Sequence, residues 1–432
     1  YNVVIKKAGS RGAEDHAPVM LQGHMDMVCE KRAGVEHDFE KDGLDLIIRD
    51  GRLTANGTTL GGDNGVAVAL MLMVLDDDEI EHPPVECVFT TEEEVGLNGA
   101  KALDKSVLKA RTMINMDSED EGVATVSCAG GLRVQFTKEI QRTTVQGSLL
   151  TLKVEGLLGG HSGQDIDKER QNADLLMARM IQRLLKETKG QLVSFNGGTK
   201  DNAIPRECEA SLIYESDEEA AKAEELACEL AETYAEELTP AEPDFSCEIS
   251  CETNRTAEAI PQDAAKEFIC AMRLAPNGIQ KRNIKMDGFV VVSLNLGVVR
   301  TEEDRIVMIF SPRSSVASLQ EDTKERLNTL AETFGFTVSH SSEYPGWSFK
   351  EDSPVREICK ESYKELFGED LKIEAIHAGL ECGLFSDAIK GLDAIAIGPT
   401  IANCHTPDEY LTLDSFERFY EFLKDILSRL AK

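Results

Sequence analysis

The sequence predicts an α/β protein whose mostly parallel sheet is interrupted by an inserted α+β domain. Apolar strands and helices alternate near the start of the chain, and the same alternation returns near its end. Such alternation is typical of a parallel sheet with helices on its faces. The sequence between these segments instead alternates amphipathic strands with acidic helices. We therefore predict one discontinuous α/β domain, residues 1–130 and 344–432, and an inserted domain, residues 131–343.

The elements of the discontinuous domain follow from their apolar patterns. Short apolar runs bounded by turn residues predict strands, and longer apolar or amphipathic stretches predict helices. On this basis the first segment has strands at 19–21, 85–90 and 111–116 and a helix at 64–75. The last segment has helices at 354–367 and 414–430 and strands at 371–376 and 393–397.

The inserted domain is predicted to contain two similar halves. The first half runs strand 148–155, helix 167–186, strands 191–195 and 203–214, helix 218–237 and strand 244–250. The second continues with helix 262–273, strands 288–299 and 304–310, helix 319–334 and strand 337–341. This order is close to a repeated β-α-β-β-α-β unit, although the residues themselves show no clear repeat.

The charge of the chain excludes several classes of partner. Its 432 residues include 46 Lys+Arg and 78 Asp+Glu, a net charge of 46 − 78 = −32. This charge repels phosphate backbones and anionic headgroups, so we expect no nucleic-acid and no membrane partner. The longest apolar run, residues 66–75, is too short for a bilayer, which takes roughly 20 residues per helix.

The cysteines predict a cytoplasmic protein. Eleven are scattered along the chain, and none is spaced C-x-x-C. An odd number without paired spacing is typical of reduced thiols. The sequence shows no signal peptide, and because it opens with Tyr1 rather than Met we expect a native N-terminal segment to precede it.

Five polar stretches, each expected just after an apolar strand, contain most of the candidate catalytic residues. They are residues 23–26 (GHMD), 61–65 (GGDNG), 92–96 (EEEVG), 115–118 (NMDS) and 403–407 (NCHTP). In open α/β sheets, sites form at the carboxyl ends of the strands, so these stretches are expected to converge. Imidazole and carboxylate are ordinary Zn²⁺ ligands, and one carboxylate can bridge two metals. The pattern predicts a metal centre that catalyses hydrolysis.

Each stretch taken alone also has an ordinary structural explanation. His24 can bond a local partner at a strand end, and three successive glutamates are common in solvated turns. Asp63 suits a helix N-cap and Asp117 suits a turn. The joint occurrence of all these residues after strands favours the metal centre.

These stretches carry a resemblance to a known family. Residues 21–28, 61–65, 91–96, 115–117 and 404–405 resemble the di-zinc metallopeptidase family that includes aminoacylases, carboxypeptidases and dipeptidases. Residues 196–206 (NGGTKDNAIPR) and 377–383 (HAGLECG) are most similar to its cytosolic aminoacyl-histidine, or non-specific, dipeptidases. The match covers most of the chain.

The resemblance implies a di-zinc catalytic domain and an inserted lid. One zinc would be held by His24, Asp63 and Asp117, and the other by Asp63, Glu94 and His405, with Asp63 as the bridge. Two Zn²⁺ ions per chain are expected, with Co²⁺ or Mn²⁺ as substitutes. The resemblance also implies a cis peptide between Asp63 and Asn64.

The resemblance assigns the remaining roles as well. Asp26 would orient the imidazole of His24, Glu93 would be the general base for a metal-bridged water, and His161 would polarise the substrate carbonyl. The substrate-binding residues would be Asn202 and Arg313 in the lid, with Arg313 suited to a carboxylate, and Glu381 at the cleft.

The expected function is zinc-dependent hydrolysis of small unblocked dipeptides, including Xaa-His. The alternatives on the same scaffold are an N-acyl amino-acid deacylase and a tripeptidase, because the metal motifs do not separate them. A further alternative is an inactive binding subunit, which Glu93 disfavours because a binding module needs no base. The resemblance also allows a homodimer.

Overall fold

Two chain segments that are far apart in sequence form one structural unit. The computed structural model describes residues 1–285 and 288–432. One unit consists of residues 1–128 and 345–432, and the other, called here the inserted unit, consists of residues 129–344. The boundaries expected from the sequence differ from these by one or two residues.

The strands and helices are numbered in chain order. The strands are β1 Val3–Lys7, β2 Val19–His24, β3 Leu46–Arg49, β4 Arg52–Ala55, β5 Val85–Thr90, β6 Thr112–Asn115, β7 Val123–Cys128, β8 Gly130–Glu139, β9 Thr143–Glu155, β10 Gly160–His161, β11 Gln191–Gly197, β12 Ala203–Ile204, β13 Cys208–Tyr214, β14 Ser246–Ala259, β15 Gly278–Arg282, β16 Val290–Thr301, β17 Arg305–Ser314, β18 Thr337–Tyr344, β19 Lys372–Ile376, β20 Asp393–Ala396, β21 Ile401–Ala402 and β22 Tyr410–Thr412. The helices are α1 Gly62–Asp76, α2 Asn98–Ala102, α3 Ala173–Glu187, α4 Asp217–Leu238, α5 Gln262–Leu274, α6 Ala317–Thr333, α7 Pro354–Phe367, α8 Glu381–Ala388 and α9 Leu413–Leu430.

The first unit is built on a seven-stranded, mostly parallel sheet, as predicted. Its strand order is β1-β5-β2-β6-β20-β7-β19. Strand β2 pairs in parallel with β5 and β6, and β20 pairs in parallel with β6. Every residue of β2 and β5 is buried, including the polar residues Gln22, His24, Glu86 and Thr90 among the apolar ones. A second, antiparallel sheet in this unit has the order β21-β22-β4-β3.

The parallel strands place several polar residues at one edge. Strand β2 ends at His24, β5 ends at Thr90 and β6 ends at Asn115. Because parallel strands end at the same edge of a sheet, the residues after them are neighbours. Helix α1 begins beside them, after the turn that follows β4.

The inserted unit contains two β-α-β-β-α-β halves in one sheet. The order of the path is β14-β9-β13-β11-β16-β17-β8-β18, with β15 paired to β16. The first half occupies β14-β9-β13-β11, and the second half, read from the other end of the sheet, occupies β18-β8-β17-β16. When the four strands of each half are numbered in their order within the repeat, both halves have the spatial order 4-1-3-2. The halves meet where β11 pairs with β16. Strand β8 is the first strand of the second half, and the whole first half lies between β8 and α5 in the chain. The predicted pair of halves is confirmed, with β8 as a strand that the sequence analysis missed.

Several predicted elements differ in their bounds. Helix α3 begins at Ala173 rather than 167, because the side chain of Asn172 caps it by accepting two backbone N–H groups. The predicted strand 203–214 is split into β12 and β13 around Pro205, which has no N–H to donate. Strand β14 extends to Ala259, nine residues beyond the predicted end at 250. Within the described ranges, no helix has the length and apolar character that a membrane crossing needs.

Candidate metal centre

The first unit brings the predicted metal ligands together at the carboxyl edge of its sheet. Side-chain atoms of His24, Asp63 and Glu94 lie within 4.8 Å of one another. Asp117 joins them, because its Oδ1 lies 3.6 Å from Nε2 of His24. His405 also joins them, because its Nε2 lies 3.1 Å from Oε1 of Glu94.

The carboxylate of Asp63 lies between the two histidines. Its Oδ1 is 3.0 Å from Nε2 of His24, and its Oδ2 is 3.2 Å from Nε2 of His405. Each oxygen therefore faces a different imidazole, which is the arrangement expected of a carboxylate that bridges two ions.

The orientation of His24 leaves one nitrogen available as a ligand. Nδ1 lies 3.0 Å from the backbone carbonyl oxygen of Asp26, to which it can donate its proton. Such a contact fixes the tautomer and directs Nε2 to the site. The side chain of His24 is only 1% exposed.

Asp26 acts mainly on the neighbouring turn. Its Oδ1 accepts the backbone N–H of Glu93 and its Oδ2 accepts that of Glu94, both at 3.1 Å. Its Oδ1 is 3.6 Å from Nδ1 of His24, which is longer than a hydrogen bond. The carboxylate therefore holds the main chain of the two glutamates, while the carbonyl of Asp26 orients His24.

The main chain at Asp63 has a special conformation. A cis peptide bond joins Asp63 to Asn64, as predicted. The side chain of Asn64 accepts the backbone N–H of His24 at 3.2 Å and donates to the carbonyl of Met116 at 2.8 Å. Asn64 thus links the end of β2 to the residues that follow β6.

The electrostatics of the site are dominated by carboxylates. Burial by itself lowers the pKa of His24, but the nearby carboxylates of Asp117, Asp26 and Asp63 outweigh it and raise the pKa. Hydrogen bonds to Asp63 and Glu94 raise the pKa of His405 to about 10. Burial raises the pKa of Asp117, and burial together with the charge of Asp117 raises that of Glu93 to about 8. The site favours positive charge.

The donor set fits divalent cations. Five side chains offer imidazole nitrogen and carboxylate oxygen, the ligands that Zn²⁺ takes in hydrolytic sites. They are His24, Asp63, Glu94, Asp117 and His405. The excess of carboxylate charge suits cations, and the Nε2 atoms of both histidines face the carboxylate of Asp63, which suits two cations that share it.

The inserted unit brings three further predicted residues into one region. Strands β10 and β12 pair His161 with Ala203, and the N–H of Ser162 donates to the carbonyl of Asn202 at 2.9 Å. Nδ1 of His161 accepts the N–H groups of Gly163 and Gln164, at 3.2 and 3.0 Å. Its proton is therefore on Nε2.

Arg313 is an unusually buried arginine near His161. Its side chain donates to the hydroxyl of Tyr344 at 3.0 Å, and the residue is 7% exposed. Burial, followed by the charge of Arg313, lowers the pKa of His161. His161 is thus a neutral donor beside a buried cation.

Glu381 is fully buried, with 0% exposure. It accepts hydrogen bonds from Gln22 and from Thr90, the latter at 2.7 Å, and Gln22 in turn accepts one from Asn115 at 2.7 Å. Burial raises the pKa of Glu381 to about 7. In this structure its contacts are with the strand ends beneath the metal ligands.

Some residues of the site were missed in the sequence analysis. Glu119 and Cys404 place ligand atoms within 4.8 Å of Asp63. Glu119 lies two residues after Asp117 and Cys404 directly precedes His405, and these positions could have indicated the contacts. Glu409 bonds the loop before α1, and no sequence pattern marks it.

The chain belongs to the peptidase family M20/M25/M40, whose family model matches residues 20–429. The members of this family are metal-dependent peptidases, which agrees with the donor set described above. The resemblance noted from the motifs is therefore confirmed.

Several known proteins are similar to this chain. The cytosol non-specific dipeptidase of Escherichia coli strain K12 is 35% identical over 435 residues, which cover 99% of this chain and 88% of the relative. The crystal structure of the aminoacylhistidine dipeptidase from Vibrio alginolyticus matches with a TM-score of 0.93 and 36% identity, covering 99% of this chain and 87% of that one. The aminopeptidase PepT from Bacillus cereus shares the fold alone, with a TM-score of 0.54, 16% identity and coverage of 100% and 85%.

Proposed function

We propose that the chain is a metal-dependent dipeptidase that hydrolyses small unblocked dipeptides, including Xaa-His. The observation that carries this proposal is the carboxylate of Asp63, whose two oxygens face the imidazoles of His24 and His405. The similar proteins from Escherichia coli and Vibrio alginolyticus are called dipeptidases, which supports the same substrate class.

The proposed ligands of one ion are His24, Asp63 and Asp117, and those of the other are Asp63, Glu94 and His405. Zn²⁺ suits this set of nitrogen and oxygen donors, and Co²⁺ or Mn²⁺ can replace it. When bound, two such ions lower the pKa of water and polarise a peptide carbonyl.

Glu93 is the proposed general base. Its main chain is held by Asp26 next to the proposed ligand Glu94, so the backbone from which its carboxylate projects is fixed beside the metal site. It would accept a proton from the attacking water and then deliver it to the departing amine.

The inserted unit supplies the proposed contacts with substrate. The neutral His161 carries its proton on Nε2 and would donate it in a hydrogen bond to the scissile carbonyl oxygen. Arg313 and Asn202 would bind the free carboxylate of the dipeptide, since a guanidinium can pair with both oxygens. Glu381 would support the strand ends through Gln22 and Thr90.

We also propose that the protein works in the cytosol. Its cysteines are all free, which suits a reducing compartment, and the Escherichia coli relative is named a cytosol enzyme.

The experiment is product analysis by mass spectrometry on the full chain. The protein is stripped of metal with a chelator and assayed before and after Zn²⁺ is restored. The substrates are Ala-His, β-Ala-His, Ala-Ala-Ala and N-acetyl-Met. We expect the protein to cleave Ala-His and β-Ala-His and not the other two substrates, and to do so only when Zn²⁺ is bound.

The other outcomes separate the alternatives. Cleavage confined to Ala-Ala-Ala indicates a tripeptidase, and cleavage confined to N-acetyl-Met indicates a deacylase; either would keep the metal centre and refute the assigned substrate. Absence of cleavage of all four would support the inactive binding subunit.

A further inference from the structure

The buried carboxylate of Glu409 bonds the main chain of the loop that enters helix α1. Its Oε2 accepts the N–H groups of Leu60 at 2.7 Å and Gly61 at 3.0 Å. Its Oε1 accepts those of Gly62 at 2.8 Å and Asp63 at 3.3 Å. Glu409 is 2% exposed. One carboxylate thus satisfies four consecutive backbone donors.

This loop needs such a partner from elsewhere in the chain. The first N–H groups of a helix have no acceptor within the helix. Gly61, at the cap of α1, has no side chain to supply one, and the backbone of Asp63 and Asn64 is not helical. Hydrogen bonds from N–H groups to an ionised carboxylate are strong, and negative charge is favoured at a helix N-terminus. Glu409 therefore fixes the main chain from which Asp63 projects.

Glu409 also belongs to the loop that carries His405. This loop, residues 403–409, connects β21 to β22, and the N–H of Glu409 donates to the carbonyl of Thr406 at 3.1 Å. Strand β22 begins directly after Glu409 and pairs with β4, the strand that precedes the loop of Asp63. Glu409 thus joins two loops whose side chains meet, with Oδ2 of Asp63 3.2 Å from Nε2 of His405.

We propose that Glu409 is a positioning residue that sets the separation of Asp63 and His405. It thereby sets the affinity for the ion that these two residues and Glu94 would hold, an inference that rests on the proposed metal centre. Glu409 is not itself a ligand in this proposal, because both of its oxygens are taken by backbone N–H groups.

The test compares Glu409→Gln with a matched neighbour. The glutamine keeps the size of the side chain but replaces one accepting oxygen with a donor. The control is Asp408→Asn, because Asp408 precedes it in the chain, is exposed and pairs with Arg32 on the surface. Metal-free wild type and variants are titrated with Zn²⁺ against a chelating dye to obtain both affinities, and thermal unfolding of the metal-free proteins is followed in parallel.

We expect one of the two Zn²⁺ affinities of Glu409→Gln to fall by about 10–100-fold, the usual effect of losing an outer partner of a metal ligand. The other affinity should change less, and Asp408→Asn should match the wild type. Excess Zn²⁺ should restore turnover in Glu409→Gln. A purely structural role would lower the unfolding temperature and leave the ratio of the two affinities unchanged, which would overturn the proposal.

Glu409→Asp keeps the experiment decisive if the glutamine variant does not fold. The aspartate keeps the negative charge, but its side chain is one methylene shorter, so its oxygens lie farther from the four N–H groups. We therefore expect one Zn²⁺ affinity to fall more than the other again, by a smaller factor than in Glu409→Gln. Equal affinities in Glu409→Asp and wild type would refute positioning by Glu409 alone. A wild-type chain that binds fewer than two ions would instead refute the proposed metal centre.

Discussion

The carboxylate of Asp26 holds Glu93 by its main chain, with Oδ1 3.1 Å from the backbone nitrogen of Glu93. The other oxygen holds the next residue, Glu94, in the same way. One side chain thus fixes both the proposed base and a proposed ligand. Burial opposes ionisation of Asp26, but the nearby His24 imidazole and then the two backbone N–H groups lower its pKa.

Replacing Asp26 should therefore lower kcat more than it lowers the zinc content of the protein. We expect Asp26→Asn to lower kcat by about 10–100-fold, because one of the two N–H groups loses its acceptor and the turn shifts. The measurement is kcat and KM on Ala-His together with the zinc content of the protein. A variant with full zinc content and unchanged kcat would show that the turn does not depend on Asp26.

Glu93→Gln tests the proposed base. Loss of general base catalysis should lower kcat by about 10²–10⁴-fold while Zn²⁺ binding persists, since Glu93 is not a proposed ligand. Glu92→Gln is the matched control, because Glu92 is an exposed glutamate in the same turn. Equal activity in the two variants would remove Glu93 from the mechanism.

Arg313 can be tested with a substrate that lacks its proposed partner. A charged hydrogen bond contributes roughly 1.5–3 kcal/mol, so wild type should prefer Ala-His over its C-terminal amide by about 10–100-fold in kcat/KM. Arg313→Ala should lose most of this preference by raising KM for the free acid.

The control for Arg313 is Arg326→Ala, which removes an exposed arginine of helix α6 in the same unit. It should keep the preference of the wild type. If Arg313→Ala also discriminates against the amide, another group binds the carboxylate.

Asp174, in helix α3, makes stability depend on pH. Its side chain is fully buried against Gly197, and burial raises its pKa to about 8, only partly opposed by the Cys208 thiol and the charge of Arg300. In the unfolded chain an aspartate titrates near 3.9. Between about pH 4 and pH 8 the folded state therefore binds more protons, and stability falls as pH rises through this window, by at most about 1.4 kcal/mol per pH unit.

The measurement is the thermal midpoint as a function of pH. Asp174→Asn carries no charge to bury, so its midpoint should fall less than that of wild type between pH 5 and pH 8. Asp167→Asn replaces an exposed aspartate of the same unit and should follow the wild-type curve. Parallel curves for wild type and Asp174→Asn would contradict the raised pKa.

The sequence predicts some elements closely, among them a fully buried strand and an apolar helix. Strand β5 occupies the predicted residues 85–90, and α1 begins two residues before the predicted helix. The far half of β14 was missed because it is an exposed edge strand, whose polar residues lack the alternation that a half-buried strand shows. In β8 the alternation of Leu132, Val134 and Phe136 is present, but the predicted domain boundary at 130/131 falls inside this strand and no element is predicted there.

The proposed metal ligands could be predicted from the sequence, but the residue that holds their main chain could not. His24, Asp63 and Asp117 follow parallel strands or a turn, and topology alone brings such residues to one edge. Glu409 acts on backbone N–H groups that are almost 350 residues earlier in the chain. The role of Glu409 depends on the backbone conformation of the loop before α1, and the spacing of residue types in the sequence does not indicate that conformation.

The two ends of the first half of the inserted unit are direct neighbours. Thr143, at the start of β9, pairs with Ala259, at the end of β14. Removing everything between them would leave β8, α5, β15, β16, β17, α6 and β18, which is a complete β-α-β-β-α-β unit with the short strand β15 paired to β16. A single insertion of one contiguous gene segment would therefore suffice to turn an ancestor with one half into the present protein, without breaking any strand of the older fold.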